Sequence, residues 1–282
     1  MEDKITIINL IENTEGVANA VYAHGLSFYV KTQKHKLLLD LGPSFETIQN
    51  AKLLGIDLSE VDTVILSHGH YDHSGGILPF AKENDKALIY MQKTAVNDYY
   101  ADDGEDAPER FRYIGIDKKI ADLPNVRFVD KDLVIDDELE LFTIKNRSHE
   151  LPFTNKKLLV KENGGFRRDD FGHEHFLVIR QNEKTILISG CAHNGILSIL
   201  DEFEKRYSKA PDLVISGFHL MKKTDYVESE IEEIENIAKE LMKYPTRFVT
   251  CHCTGEKAFE VMKNIMGDRL EYVHSGQKID CI

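Results

Sequence analysis

Three histidines and one aspartate fall within six positions of this sequence: His68, His70, Asp72 and His73. They directly follow residues 63–66, an apolar run that predicts a buried strand. Because side chains two apart in an extended chain point the same way, His68 and His70 can converge on one ion. Asp72 and His73 lie beyond the bend and can face a second ion. Imidazole and carboxylate ligands suit zinc, and also iron or manganese, so the run predicts a metal site.

The bulk properties narrow the class of protein. The chain has 282 residues and a net charge of −13, and an acidic surface disfavours nucleic acid and anionic membranes as partners. No export signal is visible at the start of the chain, and no apolar run approaches the ~18 residues that span a bilayer. The four cysteines show no CxxC spacing, which favours reduced thiols and a cytoplasmic location. We expect a small, anionic substrate, which the acidic net charge does not exclude because a local basic pocket can hold it. The oligomeric state stays open, a homodimer included.

The elements around the histidine run form a repeated pattern. The apolar run 37–39 predicts a strand covered on both faces, and a helix and the strand 63–66 follow it. A second unit repeats this order, with a hairpin over 176–189 and a strand over 212–216. Two such units predict two sheets packed face to face with helices outside, in one domain over 1–282. The polar stretches near 99–119 and 151–172 are predicted to be lid insertions.

The spacing His68-x-His70-x-Asp72-His73 after an apolar strand resembles the signature of the metallo-β-lactamase superfamily. The resemblance implies an α/β fold, a four-layer αββα sandwich of two mixed β-sheets flanked by helices. It also implies a dinuclear site, most simply two Zn²⁺ with iron or manganese as alternatives, at one edge of the two sheets. Such a site would serve a metal-dependent hydrolase.

The same resemblance implies roles for residues outside the histidine run. Asp40 matches an aspartate that orients the histidine loop. His173 suits the superfamily's third-motif ligand of the first ion, and His252 the last ligand of the second. Cys191 stands where a metal-bridging aspartate is usual, and a thiolate there would favour zinc. Two alternatives stay open, because His193 can ligate instead of Cys191, and His149 is a rival to His173.

A narrower resemblance covers most of the chain. It is to the branch typified by an archaeal dihydropterin ribofuranosylaminobenzene phosphate synthase, and it rests on four blocks besides the segment 170–177: 67–76, 189–196, 217–220 and 251–255. Relatives within this branch need not share one reaction. The resemblance therefore implies a second hypothesis, condensation on a pterin precursor by a dihydropterin phosphoribosyl-type synthase, a transferase.

The first hypothesis remains hydrolysis of a small phosphorylated or heterocyclic metabolite. Two cations would lower the pKa of a bound water from about 15.7 to about 7. Asp72 would position the nucleophile, and His193 or His219 would donate a proton or bind an anionic arm. Lys222 and Arg168 are candidates for substrate binding. Two further hypotheses stay open: redox chemistry as in flavo-diiron proteins, and a non-catalytic protein that binds metal or a metabolite.

Overall fold

The computed structural model of the protein describes residues 4–281. Residues 1–3 and 282, which belong to the predicted domain, lie outside this range, as does most of the opening segment examined for an export signal. The strands in chain order are β1 Thr6–Ile11, β2 Ser27–Lys31, β3 Lys36–Leu39, β4 Thr63–Ile65, β5 Leu88–Gln92, β6 Asp98–Asp102, β7 Phe111–Tyr113, β8 Val126–Val129, β9 Leu133–Val134, β10 Leu139–Phe142, β11 Leu158–Glu162, β12 Gly165–Arg168, β13 Phe176–Gln181, β14 Lys184–Ser189, β15 Leu213–Ser216, β16 Arg247–Thr250, β17 Leu270–Tyr272 and β18 Lys278–Ile279.

Two large mixed sheets carry the fold. The first has the order β18-β1-β2-β3-β4-β5-β8 and the second β17-β16-β15-β14-β13-β10-β9. In the first sheet a hairpin of β2 and β3 is followed by the parallel strand β4; in the second, β13 and β14 are followed by the parallel β15. The repeated unit predicted from the sequence therefore corresponds to three neighbouring strands in each seven-stranded sheet.

The apolar runs place the two sheets face to face. Leu37 and Leu39 pack between the sheets, whereas Leu38 points to the helices outside the first sheet. Likewise Leu177 enters the space between the sheets and Val178 faces the helices of the second sheet. Alternate residues of a run that is buried on both faces must be apolar, which explains the continuous pattern. The predicted four-layer αββα sandwich is confirmed.

Helices cover both outer faces. The α-helices are α1 Glu46–Leu53, α2 Tyr71–Ser74, α3 Ile77–Glu83, α4 Ile196–Tyr207, α5 Glu228–Leu241 and α6 Glu256–Met266. The 3-10 helices are Leu58–Glu60, Lys93–Val96, Lys118–Asp122, Phe153–Lys157, His252–Thr254 and Gly267–Arg269. Side chains from α1 and α3 pack on the first sheet, and side chains from α4, α5 and α6 on the second. Within residues 4–281, no helix combines the length and the apolar character needed to cross a membrane.

The two segments expected to be lid insertions pair with each other. They form a third sheet in the order β12-β11-β6-β7. We call this element the small sheet. Its inner face buries Tyr99, Ala101, Leu158 and Val160, and its outer face carries aromatic side chains such as Tyr100. The small sheet therefore has one apolar face turned toward the rest of the protein.

Candidate metal centre

The candidate ligands stand just past the carboxyl ends of parallel strands. Asp40 follows β3, His68 lies beyond β4, Cys191 beyond β14, His219 beyond β15 and His252 beyond β16. Because β3 and β4 are parallel, as are β14, β15 and β16, these ends lie at one edge of each sheet. Face-to-face packing brings the two edges together. Residues distant in sequence thus meet at one end of the sandwich.

Imidazole rings at this edge share one pattern of hydrogen bonding. In five of them Nδ1 bonds a protein oxygen: His68 to Ser67 Oγ at 2.8 Å, His73 to Asp40 Oδ2 at 2.6 Å, His193 to Asn155 Oδ1 at 2.9 Å, His219 to Thr154 Oγ1 at 2.7 Å and His252 to Asn13 Oδ1 at 2.8 Å. In a neutral ring such a bond fixes the tautomer and leaves Nε2 unprotonated, as a metal ligand requires.

Four of these histidines have a buried Nε2 without a hydrogen-bond partner in the described part of the chain: His68, His70, His193 and His252. An unpaired buried polar atom carries a desolvation cost, so four in one place need an explanation. The described residues form five groups of potential ligand atoms that lie within 4.8 Å of one another. Three of them place Cys191 with His68 and His73, Cys191 and Cys253 with His252, and His70 with Asp169 and His173. The other two are the ligand groups: His68, His70 and His193 in the first, and Asp72, His73 and His252 in the second. Both sets match the neutral nitrogens and carboxylate oxygen that hold zinc or iron.

Burial keeps most of these rings neutral. Desolvation lowers the pKa of His70 and of His252 to about 3, and it lowers that of His68 and His193 well below the usual range. A neutral imidazole is the form that binds a metal ion.

Asp72 and His73 have pKa values set mainly by their partners. Burial alone would raise the pKa of Asp72, but the neighbouring His73 and His252 hold it well below its ordinary value. Burial alone would lower the pKa of His73, but the carboxylates of Asp40 and Asp72 raise it to about 9. The second group therefore contains a carboxylate ionised over the whole physiological range.

Asp40 ties the histidine loop to the end of β3. One carboxylate oxygen accepts the Ser67 backbone N–H at 2.7 Å, and the other accepts both the Ser67 hydroxyl at 2.7 Å and the His73 Nδ1–H. The Ser67 oxygen in turn accepts the Nδ1–H of His68. One buried aspartate thus orients a histidine of each group.

Close backbone approach explains two glycines of the site. A Cβ on Gly75 would lie 1.8 Å from the Pro43 carbonyl oxygen, and a Cβ on Gly190 would lie 2.3 Å from Ser67 Oγ. Neither glycine has a positive φ. Both positions require glycine because there is no space for a side chain. A side chain at Gly75 would push the end of α2 away from the loop after β3, and one at Gly190 would push the end of β14 away from the end of β4.

Comparison with known proteins fits this geometry. The family model of the metallo-beta-lactamase superfamily matches residues 23–239. The chain belongs to this superfamily. It is 29% identical to the 7,8-dihydropterin-6-methyl-4-(beta-D-ribofuranosyl)-aminobenzene-5'-phosphate synthase of Methanocaldococcus jannaschii, over 98% of this chain and 97% of that protein.

Solved structures show the same fold. Tm1679, described as a metal-dependent hydrolase of the beta-lactamase superfamily, aligns with a TM-score of 0.81 and 30% identity over 99% of both chains. Zn²⁺-bound PqqB from Methylobacterium extorquens aligns with a TM-score of 0.58 and 12% identity, over 98% of this chain and 100% of that one. The resemblance to the superfamily and to its synthase branch is confirmed.

His173 lies beside the candidate metal centre with both ring nitrogens engaged in hydrogen bonds. Its ring centroid is 5.9 Å from that of His68. The Gly69 N–H donates to His173 Nδ1 at 2.8 Å, and His173 Nε2 lies 3.0 Å from Asp169 Oδ2. A ring that accepts at Nδ1 must carry its proton on Nε2, where it donates to the carboxylate. His193 Nε2, in contrast, has no hydrogen-bond partner among the described residues, and a ring nitrogen of His193 lies within 4.8 Å of the ligand atoms of His68 and His70.

Cys191 lies between the two groups. Its buried Sγ is 3.1 Å from His73 Nε2, and its ligand atom also clusters with that of His68. Burial raises the pKa of the Cys191 thiol, and so does the neighbouring Cys253. The Cys253 thiol donates to the Cys191 carbonyl oxygen at 3.5 Å, and the two sulfurs cluster with His252.

His219 faces the centre from the loop after β15. Its Nδ1 lies 2.7 Å from Thr154 Oγ1, and the Thr154 hydroxyl donates to the His219 carbonyl oxygen. The ring packs 4.1 Å from that of His193, and burial lowers its pKa to about 3. With Nδ1–H held by Thr154, Nε2 is the proton acceptor.

Three residues weighed from the sequence lie away from the two ligand groups. Lys222 pairs with Glu230 at 2.6 Å. Arg168 lies opposite Leu159, a register that puts it on the outer face of the small sheet with Tyr100. His149, the rival to His173, is 40% exposed and lies 3.0 Å from Asp201.

Several supporting residues carry no sequence signal of their own. Glu174 accepts the backbone N–H groups of His193 and Asn194 at 2.8 and 2.9 Å, which fixes the loop after β14. His24 lies 3.4 Å from the carboxylate of Asp72 on the exposed side. Cys253 directly follows His252 and lies two residues after Cys251. This spacing is the only feature of the sequence that could have indicated a role for Cys253 beside the ligand groups.

Proposed function

We propose that the protein is a dinuclear zinc hydrolase. The single observation that supports this proposal is the set of four buried, unpartnered imidazole Nε2 atoms at the edge of the sandwich. In this proposal His68, His70 and His193 would hold the first ion, and Asp72, His73 and His252 would hold the second. Cys191, whose ligand atom clusters with those of His68 and His73, would be a further ligand as a thiolate. His173 then orients the Gly69 backbone rather than binding metal.

Two zinc ions in this position would supply Lewis acidity, activating water and polarising the bond to be cleaved. The protein's own residues supply the rest. Asp72 is ionised and accepts hydrogen bonds from whatever is bound beside it. His219 presents Nε2 as a proton acceptor, because Thr154 holds its Nδ1–H. The ring of Phe171 stacks on His193 at 4.7 Å and covers that side of the site against water.

The proposed substrate is a small phosphorylated or heterocyclic metabolite. Metal content and turnover of bis(p-nitrophenyl) phosphate and p-nitrophenyl acetate by zinc-loaded protein test the proposal. We expect about two zinc ions per chain and hydrolysis that depends on them. The double variant His70→Ala, Asp72→Ala should lose both, whereas His149→Ala, an exposed histidine outside the groups, should keep both. Full activity in the double variant would contradict the proposal.

One observation favours a second candidate, a synthase that condenses a pterin precursor with a phosphoribosyl compound. It is the 29% identity to the archaeal synthase over nearly the whole of both chains. The same metal site would then activate the group that one substrate releases as the two condense. Incubation of the zinc-loaded protein with a reduced pterin and a phosphoribosyl donor, followed by product analysis, separates the two: a condensed product supports the synthase, and release of hydrolysed donor alone supports the hydrolase.

A further inference from the structure

Three basic side chains gather around one carboxylate beside the candidate metal centre. They are Arg112 of β7, Lys157 at the end of a 3-10 helix and Lys223 in the loop after β15, and the carboxylate is Asp103. We call these four residues the basic cluster. They come from three separate parts of the chain.

Arg112 is directed inward by the register of the small sheet. It lies opposite Ala101, which the inner face buries. Its guanidinium makes two hydrogen bonds to Asp103, at 2.6 and 3.3 Å. Its charge also acts on Tyr71 and on the carboxylate of Asp72. The arginine is therefore held by Asp103 on the inner face of the small sheet, from which its charge reaches Asp72.

Lys157 belongs to the 3-10 helix Phe153–Lys157, which is anchored to two histidines of the site. Thr154 bonds His219, and Asn155 bonds both the ring and the carbonyl oxygen of His193. These bonds fix the turn from which Lys157 projects. Lys157 is the third residue after Thr154 in this turn, and its positive charge contributes to lowering the pKa of His219.

Lys223 differs from its neighbour Lys222 in its partners. Lys222 is bound to Glu230 in α5. The charge of Lys223 instead acts on Asp103 and on Lys157. Among residues 4–281, the ammonium groups of Lys157 and Lys223 form no ion pair or hydrogen bond, so both are available to a ligand.

The cluster holds an excess of positive charge in a protein whose net charge is −13. Three cations surround one carboxylate, and that carboxylate is already held by Arg112. The pKa of Lys157 is lowered, first by partial burial and, against the opposing effect of Asp103, by the charges of Arg112 and Lys223. Like charges repel one another, and an arriving anion would relieve that repulsion.

We propose that the basic cluster binds the phosphate group of a substrate whose reacting bond lies at the metal centre. An arginine fork and two flexible ammonium groups are the side chains that recognise a tetrahedral dianion. Arg112 lies on the inner face of the small sheet, which packs Tyr99 5.9 Å from the ring of His70, and Lys157 ends the turn that bonds His219 and His193. A phosphate held here is therefore on the side of the small sheet that faces the candidate metal centre. The inference rests on the proposed function only in that the bound phosphate belongs to the substrate.

Equilibrium binding to the zinc-loaded protein tests this site without relying on turnover. The probes are phenylphosphonate, a dianion that is not hydrolysed, benzoate, a monoanion, and benzyl alcohol, which is neutral. We expect phenylphosphonate to bind most tightly by calorimetric titration. Benzoate binding as tightly as phenylphosphonate would contradict recognition of a phosphate group.

Variants separate the cluster from direct binding to the metal ions. Lys157→Met and Lys223→Met should each weaken phenylphosphonate binding roughly tenfold, as expected for one charged hydrogen bond. Asp103→Asn should tighten it, because the variant removes the competing carboxylate. The matched control is Lys156→Met, since Lys156 lies in the same turn but its charge acts on Glu230 and Glu233. The zinc content of each variant should equal that of the wild type.

The outcomes distinguish this site from the proposed function. Wild-type affinity for phenylphosphonate in both lysine variants would overturn the site, even if the protein hydrolyses esters. Weakened binding in those variants together with tightened binding in Asp103→Asn would support it, even if no hydrolysis is found. A loss of affinity equal in Lys156→Met and Lys157→Met would also overturn it, because general surface charge would then explain the binding.

Discussion

Asp40 accepts the Nδ1–H of His73 at 2.6 Å, and both side chains are fully buried. The bond sets the tautomer of a candidate ligand of the second ion and raises its basicity. The backbone of Asp40 has a positive φ of 59°, which asparagine also tolerates. Asp40→Asn should therefore keep the backbone and change only the hydrogen bonding.

We expect Asp40→Asn to weaken zinc binding about 10- to 100-fold, the usual effect of losing a partner of a metal-bound histidine. Competition with a chelating dye at pH 7.5 measures this. The matched control is Asp62→Asn, because Asp62 accepts the ring of His35 at 2.8 Å in a similar pair at the surface. Unchanged zinc affinity in folded Asp40→Asn would show that the pair does not orient a ligand.

The two histidines His193 and His173 give a second prediction. Only His193 has a bare Nε2 facing His68 and His70, whereas His173 is bonded at both nitrogens. His193→Ala should lose about one of two zinc ions per chain, and His173→Ala should retain both. Metal analysis after dialysis decides, with circular dichroism to confirm folding. The opposite pattern would restore His173 as the third ligand of the first ion.

The layers of the fold could be predicted from the sequence because a strand that is buried on both faces must be made of apolar residues. Leu37, Leu38 and Leu39 alternate between the two cores, and this requires an unbroken apolar run. The motif from His68 to His73 was visible because its spacing is local. The resemblance to the superfamily implied that His252 joins these residues, and the structure brings them together because the strands that precede them end at one edge of the sandwich.

Choices between near neighbours were not predictable, because they depend on contacts made far away in sequence. Lys222 and Lys223 look equivalent in the sequence, yet Glu230 in α5 captures only Lys222. The outward position of Arg168 follows from the register of β12, which no local pattern specifies. The bonding of His173 depends on Asp169, whose role becomes visible only when the ring is placed.

Cys191 gives a prediction about metal preference. Its sulfur is buried 3.1 Å from His73 Nε2, and a thiolate favours zinc, whereas a carboxylate suits manganese. Cys191→Asp should shift the ratio of zinc to manganese affinity toward manganese by about tenfold, equivalent to about 1.4 kcal/mol. Competitive loading with both metals measures the ratio. The control is Cys281→Ser, remote from the ligand groups, and an unchanged ratio in Cys191→Asp would show that this sulfur is not a ligand.

His175 predicts how stability depends on pH. Its Nε2 lies 2.8 Å from the Leu66 carbonyl oxygen, its Nδ1 lies 3.1 Å from the Gln92 amide, and burial lowers its pKa to about 4. An unfolded histidine has a pKa of about 6.5. Below about pH 6.5 the unfolded chain therefore binds a proton at His175 that the folded protein does not bind. The free energy of unfolding falls as the pH is lowered from about 6.5 to about 4.

Between pH 6.5 and 5.5 this single residue should remove about 1 kcal/mol of folding free energy. Urea unfolding of metal-free wild type and of His175→Gln at both pH values measures its share, because the other buried histidines contribute equally to both proteins. The variant should lose about 1 kcal/mol less than the wild type over this interval. Chelator in all samples keeps zinc release out of the comparison. The same pH dependence in both proteins would contradict this prediction, because it would mean that His175 is protonated in the folded protein as readily as in the unfolded chain. The hydrogen bond to the Leu66 carbonyl oxygen would then stabilise the charged ring as well as water does.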